Sequence, residues 1–248
     1  MKVQPTYAVV VKDLTVAYDQ NPVLWDADFY APAASLTAIV GPNGGGKSTL
    51  LKSILGLIHP ATGSITILQD SYEHKKDVIA YVPQKNSVDW NFPITVFDVV
   101  LMGRYKYLDW MRRPKAHDKD IAYEALKQVN MHEYANRHIN HLSGGQQQRI
   151  FLARALAQEA LIYFMDEPFV GIDTTSEDTI LELLQNLKTQ GKTIIVVHHN
   201  LQRVQQYFDW TALINISHVA IGPTKEVLTL QNIATTFGQS TMLETLHL

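Results

Sequence analysis

Hydrophobic residues recur along this chain at two spacings, that of strands and that of helices. Val9 to Ala17 alternates weakly and predicts a strand. Leu36 to Val40 is a short apolar run that stops at Gly41, as a buried strand does. Leu50, Leu51, Ile54, Leu55 and Ile58 then fall at helical spacing, so Ser48 to Ile58 predicts a helix, with Gly56 and Pro60 marking its end. Thr62-Gly63 reads as a turn and Ser64 to Leu68 as a strand. Val78 to Val82 predicts a further strand, stopped by Pro83.

The character changes from about Gln84 to Ala157, which reads as mostly helical. Ile121, Ala125, Leu126 and Val129 share one helix face, and Gln146 to Ala157 predicts another helix. Leu161 to Met165 and Thr193 to Val197 are two more buried strands. Between them Ile180, Leu183, Leu184 and Leu187 form a helical stripe closed by Gly191. Lys225 to Phe237 reads as one or two short helices, and the last residues are expected to be loosely ordered. Strands alternating with helices imply an α/β fold with a parallel sheet and helices on its faces. The stretch 84–157 then reads as a helical insertion between two sheet strands.

Composition narrows the class. A chain of 248 residues with 46% hydrophobic and 18% charged residues fits one globular α/β domain. A net charge of −3 argues against nonspecific nucleic-acid binding, so no nucleic-acid partner is expected. There are no cysteines, which excludes disulfides, thiolate metal sites and cysteine nucleophiles and fits a reducing cytosol. The N-terminus lacks the apolar core of a secretory signal. No apolar run approaches the roughly 18–20 residues that span a bilayer. Work at a membrane would need a partner that supplies the spans.

Gly41-Pro42-Asn43-Gly44-Gly45-Gly46-Lys47-Ser48 fits the pattern G-x-x-x-x-G-K-[ST] between an apolar strand and a helix. Glycines let the backbone curl so that several N–H groups face one anion. The helix start adds its partial positive charge. Lys47 is expected on the β- and γ-phosphates, and the Ser48 hydroxyl on Mg²⁺. Thr49, next in the helix, is counted with the nucleotide-binding residues. The pattern alone holds ATP or GTP.

A second set follows from strand ends. Parallel sheets place ligand sites at strand C-termini. Leu161 to Met165 runs into Asp166 and Glu167. Asp166 suits Mg²⁺ through its hydration shell, and Glu167 suits the attacking water. The alternative is a pair of solvated acids. Gln84 follows another strand and can touch Mg²⁺ or the water, or be a plain loop residue. Tyr18 follows the first strand and can stack on adenine, or serve as an ordinary core or surface tyrosine. His198-His199 closes the strand Ile194 to Val197, where an imidazole can stabilise charge on the γ-phosphate. Adjacent strand residues point to opposite faces, so the two are a poor chelating pair.

Leu142-Ser143-Gly144-Gly145-Gln146 precedes a helix and ends 20 residues before Asp166 (166 − 146). A Ser-Gly-Gly turn feeding a helix exposes N–H groups and a hydroxyl, a second place for an anion or simply a capped helix. Here a resemblance becomes specific, covering roughly Val9 to Thr224. The chain resembles the ATP-binding subunits of ABC transporters. Leu142 to Gln146 matches their LSGGQ signature, Gly41 to Ser48 their Walker A loop, and Leu161 to Asp166 their Walker B strand. The resemblance implies a P-loop NTPase fold of ABC ATPase type, with a RecA-like core, a small antiparallel β part and a helical insertion. It implies a single domain over 1–248, with core segments 1–84 and 158–248 and a helical subdomain over 85–157. It makes Glu167 the catalytic glutamate, Gln84 the Q-loop glutamine, Tyr18 the adenine-stacking aromatic and His199 the switch histidine. The usual Thr-His-Asp is here His198-His199-Asn200, and Asp173 lies in the D-loop.

The resemblance further implies ATP and Mg²⁺ as cofactors and a head-to-tail dimer. In that dimer Ser143, Gly144, Gly145 and Gln146 of one copy meet the nucleotide of the other. It also implies a transmembrane permease, indirectly a solute-binding protein, and a place on the cytoplasmic face of the plasma membrane. Gln84 to Val96, with Val88-Asp89-Trp90-Asn91-Phe92-Pro93, and Met102-Gly103-Arg104-Tyr105 are similar to the manganese, zinc and iron uptake group. Glu167 to Asp173 is similar to that group as well. Trp90 and Trp110 are candidates for the docking face. The competing expectations are a siderophore or haem transporter, a soluble ABC ATPase, and a P-loop kinase or GTPase. The last fails on LSGGQ and on the lack of an Asn-Lys-x-Asp motif.

Overall fold

The computed structural model describes residues 6–18, 21–84, 92–108 and 113–238. Trp90, Trp110 and the C-terminal residues beyond 238 lie outside the described residues. The chain divides into two compact units, residues 1–76 with 187–248, and residues 77–186. It begins with β1 (Tyr7–Tyr18), β2 (Asn21–Pro32), β3 (Leu36–Val40), α1 (Lys47–Ile54), β4 (Thr62–Ile67) and α2 (Tyr72–Lys75). Next come β5 (Ile79–Val82), α3 (Val96–Leu101), α4 (Ala116–Gln128), α5 (Gly144–Ala157), β6 (Ile162–Asp166) and α6 (Thr174–Thr189). The chain continues with β7 (Thr193–Val197), α7 (Leu201–Tyr207), β8 (Trp210–Asn215), β9 (Ser217–Pro223), α8 (Thr224–Val227) and α9 (Leu230–Phe237).

In the first unit, β1 pairs antiparallel with β2 on one side and β4 on the other. Its alternation is weak because the register shifts between Val11 and Leu14, where Asp13 takes a left-handed φ of 52°. The parallel core is β3, flanked by β7 and β8, with β9 antiparallel on β8. All five residues of β3 and of β7 are buried. Strands covered on both faces take such continuous apolar runs.

Several boundaries differ from the sequence expectation by a residue or more, β5, α5 and β6 among them, and two differences have a clear physical cause. α1 stops at Ile54 rather than Ile58. The N–H of Gly56 bonds to Ser53 O (3.0 Å) and that of Leu57 to Lys52 O (2.9 Å), a Schellman ending that closes the helix before Ile58. Thr62 and Gly63 are strand rather than turn, because Thr62 pairs with Thr15 of β1. Cross-strand pairing overrides the turn preference of Thr-Gly here.

In the second unit, β5 and β6 pair in parallel and all five residues of β6 are buried. α3, α4 and α5 pack against one another. On α4, Ala122, Ala125 and Leu126 are buried and Ile121 only half so. On α6, Ile180, Leu181, Leu184 and Leu187 are buried, so the stripe includes Leu181 and leaves Leu183 half-buried. Arg104, 4% exposed, pins this unit. Its guanidinium donates to Asp118 Oδ1 (3.2 Å), to Ala157 O (2.8 Å) and to Glu159 Oε2 (2.7 Å). It also stacks 4.0 Å above the Tyr107 ring.

Candidate nucleotide site

The loop after β3 is shaped by its glycines. Gly44 and Gly46 have φ of 79° and 91°, the left-handed region. The N–H of Gly45 donates to Pro42 O (3.0 Å), and Leu50 N–H to Gly46 O (2.8 Å) starts α1. The end of β8 backs the loop closely. A Cβ on Gly41 would run into Ile214 O, and the N–H of Ile216 donates to Gly45 O (3.0 Å). Lys47 is 6% exposed, and its ammonium donates to Gly41 O (2.9 Å) and Pro42 O (2.7 Å). A buried ammonium spanning a curled loop at a helix start is a strong anion cradle. Asn43 and Gly44 form its exposed rim, and Ser48 and Thr49 are half-buried in the first turn of α1.

In the second unit, the buried β6 ends in Asp166, which is 1% exposed. Tyr81, on the neighbouring β5, has its hydroxyl pKa pushed up to about 12 by burial and then by the Asp166 charge, so it stays neutral. Glu167 follows with a left-handed φ of 50° directly before Pro168. A non-glycine residue there stores roughly 1–3 kcal/mol, strain that clusters at functional positions. The Gln84 side-chain amide donates to Glu167 Oε2 at 2.8 Å. Two residues 83 apart in sequence thus form one hydrogen-bonded pair, a link invisible to motif spacing.

Ser143 is the N-cap of α5. Its hydroxyl accepts from Gln146 N–H (3.4 Å), and Gln146 Oε1 accepts from Ser143 N–H (2.9 Å). This capping box sets the Ser-Gly-Gly turn. A Cβ on Gly145 would lie 2.8 Å from Gly171 O, so the signature turn sits directly against the loop leading to Asp173. Asp173 Oδ1 accepts from Ser176 N–H (2.9 Å) at the start of α6. That bond is the main cause of its lowered carboxyl pKa, and Arg149 of α5 adds a smaller contribution. Gln148 is legible in sequence only as part of the run after the signature. It is 2% exposed, and neither amide atom has a hydrogen-bond partner among the described residues.

Of the histidine pair, His198 is 2% exposed and His199 is exposed. Asn200 N–H donates to His198 Nδ1 (3.0 Å) and Asn200 caps α7 through Arg203 N–H (3.1 Å). Burial, followed by the charges of His199 and Arg203, pushes the His198 pKa down from 6.5 to about 3. His198 is therefore a neutral packed ring against Phe208, leaving His199 as the reachable imidazole. Tyr18 ends β1 with 49% of its surface exposed, as a ring available for stacking requires. Among the described residues no group of three His, Asp or Glu is placed to hold a metal ion, and no helix is long and apolar enough to cross a membrane.

A family model described as ABC transporter matches residues 24–170, more than half of the chain. The chain belongs to the ABC transporter family. It has the fold of the ABC ATPases, whose nucleotide is ATP. The manganese transport system ATP-binding protein MntB of Bacillus subtilis is 51% identical over 94% of this chain and 93% of its own length. The zinc transport system ATP-binding protein TroB of Treponema pallidum is 50% identical over 94% of this chain and 87% of its own. Among solved structures, an inward-facing ABC transporter described as of metal-chelate type is similar, with TM-score 0.81 and 32% identity. The match covers 93% of this chain and 88% of that one. A dimeric ATP-binding cassette in a post-hydrolysis state, bound to ADP and phosphate, has TM-score 0.77 at 27% identity over 87% of this chain and 98% of its own.

Proposed function

We propose that this chain is the ATP-hydrolysing motor of a membrane importer for divalent transition-metal ions, namely manganese, zinc or iron. The observation that carries this reading is the half-identity, over 94% of the chain, to ATP-binding proteins of manganese and zinc transport systems. The cargo is substrate of the assembly and is moved by a transmembrane permease. The chain works as a peripheral subunit on the cytoplasmic face of the plasma membrane, with a solute-binding protein acting indirectly through the permease. The whole chain acts as one ABC domain, with 85–157 as the helical subdomain that carries the signature.

Residue roles follow from chemistry. Gly41 to Lys47 hold the ATP phosphates by backbone N–H groups and one ammonium, and Tyr18 stacks on adenine. Ser48, Asp166 and Gln84 hold Mg²⁺. The donors are all oxygens, and Asp166 is a buried carboxylate at a strand end, which suits a hard ion. When bound, Mg²⁺ neutralises phosphate charge and orients the γ-phosphoryl group. Glu167 orients the attacking water and takes its proton. Gln84, bonded to Glu167, fixes where that carboxylate points. His199 donates to the charge that develops on the γ-phosphate. Ser143, Gly144, Gly145 and Gln146 act on the nucleotide of a second copy, head to tail. Catalysis in this scheme is positioning and charge stabilisation.

The test is metal accumulation by cells whose own copy is replaced by Lys47→Ala. Loss of manganese or zinc accumulation, with the protein still present, is the expected result. Normal accumulation of both, and of iron, would refute the cargo assignment.

A further inference from the structure

A rigid turn just before the signature carries two histidines in an arrangement the nucleotide chemistry does not use. Residues Ile139–His141 form a 3₁₀ turn with His138 as its N-cap. His138 itself is extended, with φ of −70° and ψ of 140°, and His141 ends the turn. The His138 and His141 rings nevertheless meet edge to face, with centroids 5.9 Å apart and planes inclined by 72°. Both side chains are exposed, so an ion reaches them from solvent.

The backbone under the pair is tied from several sides. His138 bridges Thr95. Val96 N–H donates to Arg137 O (2.9 Å), and Ile139 N–H to Ile94 O (3.0 Å). Between the histidines, Ile139 is buried and its carbonyl accepts from the Gln147 side-chain amide (3.2 Å). His141 N–H donates to His138 O (3.1 Å), closing the turn. The two Cα positions are thereby fixed before any ligand arrives, which lowers the ordering cost of binding.

The separation is within reach of chelation. A metal about 2.0–2.1 Å from one nitrogen of each ring lies about 3.2 Å from each centroid. Two rings 5.9 Å apart that each turned one nitrogen toward a common ion would subtend about 135° at it. A tetrahedral angle of about 109° needs centroids about 5.2 Å apart, a closure of about 0.7 Å with a turn of the rings out of their edge-to-face contact, which exposed side chains reach by χ rotation.

We propose that His138 and His141 form a two-imidazole site for a divalent transition-metal ion of the zinc class, with water in the remaining positions. Imidazole nitrogen favours zinc, nickel and copper over magnesium, calcium and manganese. The absence of a third His, Asp or Glu ligand among the described residues makes this an open, exchangeable site. It lies two residues before the cap Ser143 (143 − 141), so a bound ion braces the turn that leads into the signature helix. The site belongs to the chain itself, whatever cargo the assembly moves.

The experiment is equilibrium dialysis of the full-length chain, without nucleotide or polyhistidine tag, against zinc in millimolar magnesium. One zinc equivalent is expected to bind ahead of any weaker ones. His138→Gln and His141→Gln each weaken it at least tenfold, because each removes half of the chelate. His74→Gln, at the exposed His74–Asp70 pair, leaves it unchanged. Cobalt(II) is expected to broaden the ring protons of His138 and His141 selectively in NMR spectra. Unchanged zinc affinity in both single variants, or a loss that follows His74→Gln instead, overturns the site.

Discussion

Adding one methyl group at Gly46 tests whether the phosphate loop is held by its packing or only by its backbone conformation. Gly46 has φ of 91°, and a Cβ there would lie 2.5 Å from Leu24 Cδ2, 2.8 Å from Val23 O and 3.0 Å from Leu24 Cγ. The Leu24 methyl can swing away, but the Val23 carbonyl belongs to β2 and cannot. Gly44 is the internal control, with φ of 79° and nothing within 4 Å of the position a Cβ would take. Gly44→Ala therefore incurs only left-handed strain, about 1–2 kcal/mol. Gly46→Ala adds overpacking of about 1–3 kcal/mol, for a total of about 2–5 kcal/mol. Urea unfolding of the two variants measures the difference directly. Saturating ATP is expected to stabilise Gly46→Ala less than wild type, because a loop pushed off β2 no longer aims its N–H groups. Equal destabilisation by the two substitutions would refute the packing argument.

Arg104→Met is expected to destabilise the chain by about 3–5 kcal/mol in urea unfolding, since it leaves the buried Asp118 carboxylate without its compensating charge and only the Lys115 N–H as a partner, and Arg104→Lys is expected to restore little. His198 has a folded pKa of about 3, below its ordinary 6.5, so the unfolded chain binds the extra proton as pH falls. Its contribution is intact above pH 6.5 and is lost progressively toward pH 3, about 2 kcal/mol by pH 5. Stability measured at pH 7 and pH 5 should therefore differ less in His198→Gln than in wild type, and equal slopes would contradict the buried neutral ring. Ser143→Arg is expected to abolish ATP turnover while ATP binding to the monomer persists, measured by nucleotide fluorescence. Wild-type turnover in that variant would sink the head-to-tail arrangement.

Much of the scaffold of the candidate site was legible in the chain itself, because the candidate residues sit at element ends that the hydrophobic pattern marks. The apolar runs Leu36 to Val40 and Thr193 to Val197 are strands with the expected bounds. Ser143 caps a helix where the Ser-Gly-Gly turn implied one. What stayed hidden depends on contacts between residues distant in sequence. The Gln84–Glu167 bond joins two loops that no spacing rule connects. The left-handed Glu167 precedes a proline, a context that argues for extended backbone. Thr62-Gly63 looked like a turn because its pairing partner, Thr15, lies 47 positions earlier (62 − 15). Periodicity gave α6 its face but misplaced one residue, since Leu181 and Leu183 stand on either side of the same stripe. The two histidines at 198 and 199, just past β7, separated into one buried and one exposed.

Coupling of ATP hydrolysis by this chain to the movement of metal ions across a membrane is measured most directly in lipid vesicles. The chain is joined there to its membrane-spanning partner, with ATP on the side of the chain and manganese or zinc on the other. Wild type is expected to move metal only while ATP is consumed. Glu167→Gln is expected to bind ATP, form a stable dimer and lower both hydrolysis and uptake by about 10²–10⁴-fold. Metal uptake at the wild-type rate in Glu167→Gln, or steady hydrolysis by wild type with no metal moved, would contradict the account.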